Sequence, residues 1–440
     1  MLTYLGLKNF RAFESVELEL RPITVLVGPN NSGKSSILSG LRILSQTVAS
    51  EDFRVPLLLK GPLGDFGTYK DLVFENDKQK NIGVSLGMTL AKRAVSKEAR
   101  LHLTFAYRPQ RREIILRDST LFDEAQRKIY AIKSSSDPDK HQIEFYPLKG
   151  ETVTQGFGTY RTRIMHFVAP AWSFVSGRMN NENWVRENRG SLAIVDAVFE
   201  QVLHLLRSLE YIGPFRAEPQ RTNLFSGERP TTVGVDGAKA IDMLASDYLR
   251  RGRRKKQLLN QAVRWLKKAE IARDFKVRVL SDRHYEMLVQ HPVTQEFENL
   301  ADVGYGTSQV LPVIAAGYNL QTESALVVEQ PELHLHPGAQ SELGDFFLDL
   351  YRSGVQSILE THSEHIILRL QRHVAEGSIN PRDLHVYFVH ASGGRKIAHK
   401  LTVGEDGIFK EPWPRGFFEE RLKEVTALAR APLVGTGTSG

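Results

Sequence analysis

Ile23-Thr24-Val25-Leu26-Val27-Gly28-Pro29-Asn30-Asn31-Ser32-Gly33-Lys34-Ser35-Ser36-Ile37-Leu38 is the stretch on which the fold turns. Residues 23–27 are apolar or β-branched without alternation, the pattern of a strand buried on both faces. Ile37, Leu38, Leu41 and Leu44 then recur at helical spacing. Between strand and helix, Gly28 to Ser35 satisfies G-x-x-x-x-G-K-[ST] in full. Gly28 and Gly33 allow a tight turn whose backbone N–H groups approach phosphate oxygens, and the helix N-terminus adds its dipole. Lys34 is spaced to bridge the terminal phosphates and Ser35 to ligate Mg²⁺, with Asn30, Asn31, Ser32, Gly33 and Ser36 completing the cradle. A chance glycine-rich turn lacks those flanks, so a nucleoside triphosphate with Mg²⁺ is the expected ligand.

Such a loop also needs an acid at the end of a neighbouring strand to hold the magnesium shell. Ser324-Ala325-Leu326-Val327-Val328-Glu329-Gln330-Pro331-Glu332 supplies Glu329, but in the last third of the chain. Something large is therefore inserted between the two halves of the site. The last third alternates helix and short apolar strand: helix from Thr307, strand 325–328, helix from Ala339, strand 355–359, helix from Ser363, strand 384–389. That rhythm predicts a parallel sheet with crossover helices. In the interval, residues 82–90 and 101–107 alternate strictly, with weaker strand signals at 114–116 and 143–145, predicting an antiparallel sheet with one wet face. A helical stripe runs through Leu192, Val195, Phe199, Val202, Leu205, Leu206 and Leu209, residues 244–268 are helical and basic, and strands are expected at 276–280 and 285–289.

The chain's 440 residues, 41% hydrophobic and 25% charged, suffice for two to four domains at roughly 100 to 200 residues each and exclude disordered and fibrous classes. With no cysteine, disulfides, Cys-ligated zinc, iron–sulfur clusters and thiol catalysis are excluded. No run approaches about 18 consecutive apolar residues, and residues 1–11 carry no basic segment followed by an apolar one. The expectation is a soluble cytoplasmic protein without membrane partners. The net charge of +7 is mild over this length, so clustering decides its meaning. Within Arg250-Arg251-Gly252-Arg253-Arg254-Lys255-Lys256 all residues but one are basic, and Arg264, Lys267 and Lys268 continue the charge. Nucleic-acid phosphates, an acidic partner and a plain solvated face all fit.

Two further motifs stand near the acid. Asp302-Val303-Gly304-Tyr305-Gly306-Thr307-Ser308-Gln309 is a glycine turn opening a helix, and Glu360-Thr361-His362-Ser363 ends the next strand, with His362 at its tip. Taken in order, these pieces resemble the ABC-type ATPase heads of the RecF, SMC and OLD group. Together with Asn9-Phe10-Arg11, Glu329-Gln330-Pro331-Glu332-Leu333-His334-Leu335-His336-Pro337 and Trp413-Pro414-Arg415-Gly416-Phe417-Phe418, they look like bacterial AAA family ATPases ending in a WPxGFF segment.

The resemblance implies an α/β P-loop NTPase head with a mixed central sheet, an antiparallel β subdomain and a helical insertion. It implies a discontinuous head over 1–60, 150–235 and 275–405, the β subdomain over 61–149, the insertion over 236–274, the WPxGFF segment over 406–430 and a flexible tail over 431–440. It makes Lys34 and Ser35 the Walker A pair, Glu329 the Walker B acid and, with Ser35, the metal site, the turn from Gly304 through Gly306 to Gln309 the signature, and His362 the switch histidine. Arg11 resembles a nucleotide-contacting arginine, and Gln220 stands where the Q-loop glutamine would. ATP would be sandwiched between two subunits, giving a homodimer or higher oligomer.

Three departures matter. Gly304 replaces the signature serine, so Tyr305, Thr307 or Ser308 would supply any hydroxyl. Gln330 stands where such ATPases keep the catalytic carboxylate, and an amide cannot take a proton from water, which predicts slow hydrolysis unless Glu332 is the base. No Asp-x-Asp pair follows His362, so a nuclease is not expected in this chain. His334, His336 and Glu332 are read as a dimer-facing loop rather than a metal cluster. No Asn-Lys-x-Asp motif reads guanine, so ATP is preferred over GTP. The expected role is ATP-driven dimerisation coupled to DNA or to a separately encoded nuclease or toxin, in anti-phage defence. The alternatives are a nucleotide-gated scaffold and a RecF-like repair ATPase.

Overall fold

The computed structural model describes residues 1–90, 97–134, 140–146, 156–161, 164–167, 189–225, 227–249, 257–412, 424 and 426–428. The basic run 250–256, the Trp413-to-Phe418 segment and the tail 431–440 lie outside the described residues.

The P-loop strand Ile23–Val27 sits inside a six-stranded sheet. The spatial order is Leu209–Ile212, Ala325–Glu329, Gln356–Glu360, Ile23–Val27, Leu384–Ser392 and Arg395–Leu401. The first five are parallel and the last pairs antiparallel at the edge. Every residue of the first four strands is buried, because helices and a second sheet cover both faces. Alternate residues go to different cores: Ile23, Val25 and Val27 pack with the C-terminal helices, whereas Leu26 packs towards the second sheet. The sheet is a P-loop α/β sheet of mixed direction.

The second sheet is antiparallel and eight-stranded: Gly156–Arg161, Lys140–Phe145, Lys128–Ser134, Glu113–Asp123, Glu98–Arg108, Ile82–Thr89, Leu2–Phe10 and Phe13–Glu19. Its two N-terminal strands precede the P-loop in the chain and Gly156–Arg161 also falls in the expected head, so residues of the expected head form both edges of a sheet whose inner strands come from the expected β subdomain. The sequence pattern at 16–20 marks a strand but cannot say which sheet it joins. Gln356 ties the sheets together. Its side chain accepts from the Leu2 N–H at 3.0 Å and donates to the Leu2 and Arg21 carbonyls at 2.8 and 3.0 Å.

Between the sheets lie the P-loop helix Lys34–Val48 and the helix Arg189–Arg207, joined by a hydrogen bond from Ser45 Oγ to the Leu206 carbonyl at 2.7 Å. Leu209 matches that helix's apolar stripe yet begins the strand Leu209–Ile212, since one residue cannot distinguish the two periods. The basic stretch 244–268 is likewise not one helix: Ala240–Leu249 and Gln257–Lys268 flank the undescribed run. Both belong to the second core, with helices Tyr305–Asn319, Pro337–Arg352 and Glu364–Ala375. A small sheet of Asn223–Leu224, His284–Gln290, Asp274–Val279 and Phe297–Asn299 borders this helical layer.

Candidate nucleotide site

The C-terminal ends of adjacent parallel strands are where an open α/β sheet releases its chain from burial, and there the polar residues gather. Gly28 has φ 142°, and a Cβ on it would lie 2.1 Å from the Val389 carbonyl oxygen. Gly33 has φ 110°, and its Cβ would meet the Phe13 ring at 2.8 Å. The motif glycines are thus fixed both by backbone conformation and by close neighbours. Lys34 opens the helix, whose first N–H groups have no intrahelical acceptor and are available to an anion.

Lys34 is 3% exposed, and its Nζ donates to the Gly28 and Pro29 carbonyls, each at 2.9 Å. The same Nζ lies 3.7 Å from Glu360 Oε1, while Ser35 Oγ donates to Glu360 Oε2 at 2.9 Å. Burial lowers the lysine's pKa and Glu360 opposes that fall. Burial raises the Glu360 carboxyl to about 7, the neighbouring Glu329 adding to the rise. Elsewhere in the cradle, Asn30 and Asn31 are exposed, Ser36 is half-buried, and Ser32 buries a hydroxyl without a partner. The Asn31 carbonyl accepts from Lys396 Nζ at 2.7 Å.

Glu329 and Glu360 face each other in register on neighbouring strands, and each is 5% exposed. Glu329 Oε1 accepts from the Tyr211 hydroxyl at 2.6 Å and lies 3.7 Å from Arg42 Nη1. The Arg42 guanidinium stacks 3.9 Å over the Tyr211 ring. Desolvation and the adjacent carboxylate push the tyrosine pKa up, so its hydroxyl stays a donor. Two carboxylates and a serine hydroxyl are the hard oxygen donors that suit Mg²⁺, which takes one or two carboxylates and otherwise keeps water and phosphate ligands. The residues present fit that ion.

Gln330 follows in the left-handed region, φ 47°, and its N–H donates to the Glu360 carbonyl at 2.7 Å. Glu332 is buried and its pKa is raised by burial. Its Oε1 accepts the His362 N–H at 2.7 Å, and its Oε2 has no partner. The half-buried His362 ring has its pKa lowered by burial and then by Lys34, and its Nε2 is also unpartnered.

Gln220 is exposed, with a carbonyl contact from Asn223 at 3.5 Å. The residue of that segment which reaches the acid-bearing strand is Arg216: its Nη2 donates to the Glu329 and Gln330 carbonyls at 2.9 and 3.2 Å. Buried, it is lowered to about 10, and its Nε and Nη1 have no partner. Arg11, at φ 47°, donates from Nη1 to Ser39 Oγ at 3.0 Å, and Ser39 Oγ donates to the Ser35 carbonyl at 2.7 Å. Arg11 therefore braces the P-loop helix one turn beyond Ser35.

Gly304 caps the helix Tyr305–Asn319 and is exposed, as is Tyr305 at 60%. A Cβ on Gly306 would meet the His334 carbonyl at 2.8 Å, and the Tyr305 and His334 rings lie 5.9 Å apart. The turn at Gly304 to Gly306 thus leans on the loop after Glu329. In that loop His334 and His336 are exposed, and His336 caps the next helix by accepting the Ala339 N–H at 3.3 Å. Among the described residues no group of three His, Cys, Asp or Glu side chains is gathered as a metal centre. No helix among them is long and apolar enough to cross a membrane.

Sequence reasoning passed over Glu360 and Arg216. Glu360 was visible as an acid ending a strand, the same signal that marks Glu329. Arg216 carried no motif of its own.

Comparison with known proteins adds two family models. One, described as "AAA ATPase domain", matches residues 1–156. The other, described as "AAA domain, putative AbiEii toxin, Type IV TA system", matches residues 197–368. ATPase-domain matches thus cover both halves of the split site. A curated "OLD nuclease" from Thermus scotoductus (strain ATCC 700910 / SA-01) is 41% identical over 58 residues, 13% of this chain and only 11% of that protein. Among solved structures, an SMC head bound to the C-terminal winged-helix domain of ScpA aligns with TM-score 0.46 at 9% identity, covering 92% of this chain and 98% of that one. An SMC head with an extended coiled coil bound to the C-terminal domain of ScpA, derived from Pyrococcus furiosus, aligns with TM-score 0.45 at 10% identity, covering 97% and 99%.

Proposed function

We propose that this chain is an ABC-type ATPase head that binds ATP with Mg²⁺, pairs with a second copy around two nucleotides and hydrolyses ATP slowly. The observation that carries this reading is the convergence of Lys34, Ser35, Glu360 and Glu329 at the ends of three adjacent parallel strands. The P-loop N–H groups hold the phosphates, Lys34 neutralises them, and Ser35 with the carboxylates orients the cation shell. When bound, Mg²⁺ supplies Lewis-acid polarisation of the phosphoryl group and the counter-charge that two buried carboxylates require. Gln330 can orient a water molecule but cannot deprotonate it. Glu332 has one oxygen committed to the His362 N–H, which supports slow turnover. The exposed turn at Gly304 and Tyr305 beside His334 is the surface offered to a second subunit.

The measurement is molecular mass by light scattering with and without MgATP, alongside turnover. Dimerisation that needs ATP and is lost in Lys34→Ala supports the reading. Turnover near ~10 s⁻¹ that disappears in Glu332→Gln overturns its slow form and makes Glu332 the base.

The short likeness to an OLD nuclease and the basic run from Arg250 to Lys256 support coupling to DNA, or to a separate effector, in anti-phage defence. Gln330 in the catalytic position favours a second reading, a nucleotide-gated scaffold presenting a toxin or nuclease. DNA-stimulated turnover abolished by Arg253→Glu, Arg254→Glu and Lys255→Glu together supports the DNA-coupled ATPase. ATP-fixed assembly indifferent to DNA supports the scaffold.

A further inference from the structure

The P-loop side chains that a triphosphate needs are already engaged: Lys34 Nζ donates to the Gly28 and Pro29 carbonyls, and one carboxylate faces both Lys34 and Ser35. Glu360 accepts the Ser35 hydroxyl at 2.9 Å on one carboxylate oxygen and lies 3.7 Å from Lys34 Nζ on the other. Its backbone is pinned as well: its carbonyl accepts the Gln330 N–H at 2.7 Å, and it pairs in register with Glu329 on one side and Leu26 on the other. Its side chain is buried. The carboxylate therefore sits against the same two groups that the phosphates and the cation would contact.

We propose that Glu360 is the residue that makes nucleotide binding depend on a divalent cation, competing with bare triphosphate for Lys34 and Ser35 and cooperating with a cation-bound triphosphate. The physical reason is charge arithmetic in a place with little water. Three acidic side chains, Glu329, Glu332 and Glu360, act on Lys34, and Lys34 and Arg42 are the cations paired with Glu360 and Glu329. A triphosphate brings several more negative charges, and like charges a few ångströms apart in a desolvated site repel strongly. A hard divalent cation reverses the sign of the interaction, since carboxylates, hydroxyl and phosphate oxygens are then its preferred donors. Glu329 is already satisfied by the Tyr211 hydroxyl and Arg42, whereas Glu360 is held only by groups that the ligand itself would claim. Glu360 is thus the carboxylate whose partners change when ligand arrives.

This inference rests on the reading of the P-loop as an ATP site, and the experiment separates the two. ATP affinity is measured by calorimetry for the full chain, once in EDTA and once in Mg²⁺, for wild type, Glu360→Gln, Glu360→Asp and Lys34→Ala. For wild type, Mg²⁺ is expected to tighten ATP binding at least 100-fold. In Glu360→Gln, affinity in EDTA should rise about tenfold and affinity in Mg²⁺ should fall about tenfold, collapsing the ratio. Glu360→Asp, which keeps the charge and serves equally if the glutamine variant does not fold, should retain a ratio within about threefold of wild type. An unchanged ratio in Glu360→Gln, a shift of both affinities in one direction, or a collapsed ratio in Glu360→Asp overturns the proposal. If wild type binds ATP in neither buffer, or Lys34→Ala binds as well as wild type, the ATP reading itself fails.

Discussion

The two large sheets spend their burial differently. In the antiparallel sheet, strand Glu98–Arg108 buries every second residue from Ala99 to Phe105, so one face makes the core and the other meets the surroundings all along its length. In the parallel sheet, Ile23–Val27, Ala325–Glu329 and Gln356–Glu360 are buried at every position. A sheet covered on both faces has no polar face to offer, so its chemistry is confined to the edge where the strands end. That is where Lys34, Glu329 and Glu360 stand. The outward residues of Glu98–Arg108 are half-buried and touch neighbours on the same sheet, as Arg100 does Tyr4 and His102 does Phe122. The parallel sheet holds its site rigidly because everything behind the edge is packed.

This contrast can be broken most forcefully from the antiparallel side. Phe105, fully buried there, should cost about 3–5 kcal/mol of stability when replaced by alanine. Chemical denaturation measures the loss, and the folded protein should keep its ATP affinity if the sheets divide structure from site. A large loss of affinity at full folding would break the division.

Next in size is the pH response of a buried acid within a strand of the parallel sheet, away from the strand ends that carry the site. Glu210 lies in the edge strand Leu209–Ile212, accepts the Val233 N–H at 2.8 Å, and is raised by burial from 4.5 to about 7. The folded state therefore keeps a proton that the unfolded chain releases between pH 4.5 and 7. Stability from this group is complete below 4.5 and falls as pH rises towards 7, by up to about 3 kcal/mol. Glu360, also raised to about 7, contributes with the same sign. Unfolding free energies across this window should show Glu210→Gln flattening part of the slope, the rest coming from Glu360 and Glu332, with ATP affinity unmoved.

At the edge itself, Lys34→Ala should lower ATP affinity at least about 100-fold, or ~2.7 kcal/mol, measured by calorimetry with Mg²⁺, while leaving the cooperativity of unfolding intact. The smallest effect belongs to the second row of the site. Tyr211→Phe removes the 2.6 Å hydrogen bond to Glu329 and should cost roughly 1.5 kcal/mol of stability. A larger cost would show that Arg42 cannot hold Glu329 alone.

Local motifs were readable because their physics is local. A strand, two glycines, a lysine and a helix start lie within sixteen consecutive residues, and steric and electrostatic demands on a phosphate loop act over that span. The alternating run at 101–107 and the apolar run at 325–328 were equally plain. The helix stripe that wrongly included Leu209, and the basic stretch that divides into two helices, show the limit of periodicity at element ends. In the segment after Gly213, order along the chain pointed to Gln220, whereas packing selected Arg216, because contact depends on which residue faces the end of the neighbouring strand.

By itself, then, the sequence determined the P-loop, the class of fold and a carboxylate at the end of a later strand, since each follows from short-range periodicity or from the needs of one loop. The tertiary structure alone decided that the strand of Glu360 lies between the P-loop strand Ile23–Val27 and that of Glu329, that Phe13–Glu19 completes the antiparallel sheet, and that Arg216 reaches the backbone of Glu329. Strand order is a global property. Residues distant along the chain become neighbours when their strands pair, and the pairing of Gln356–Glu360 with Ile23–Val27 sets Glu360 against Lys34 and Ser35.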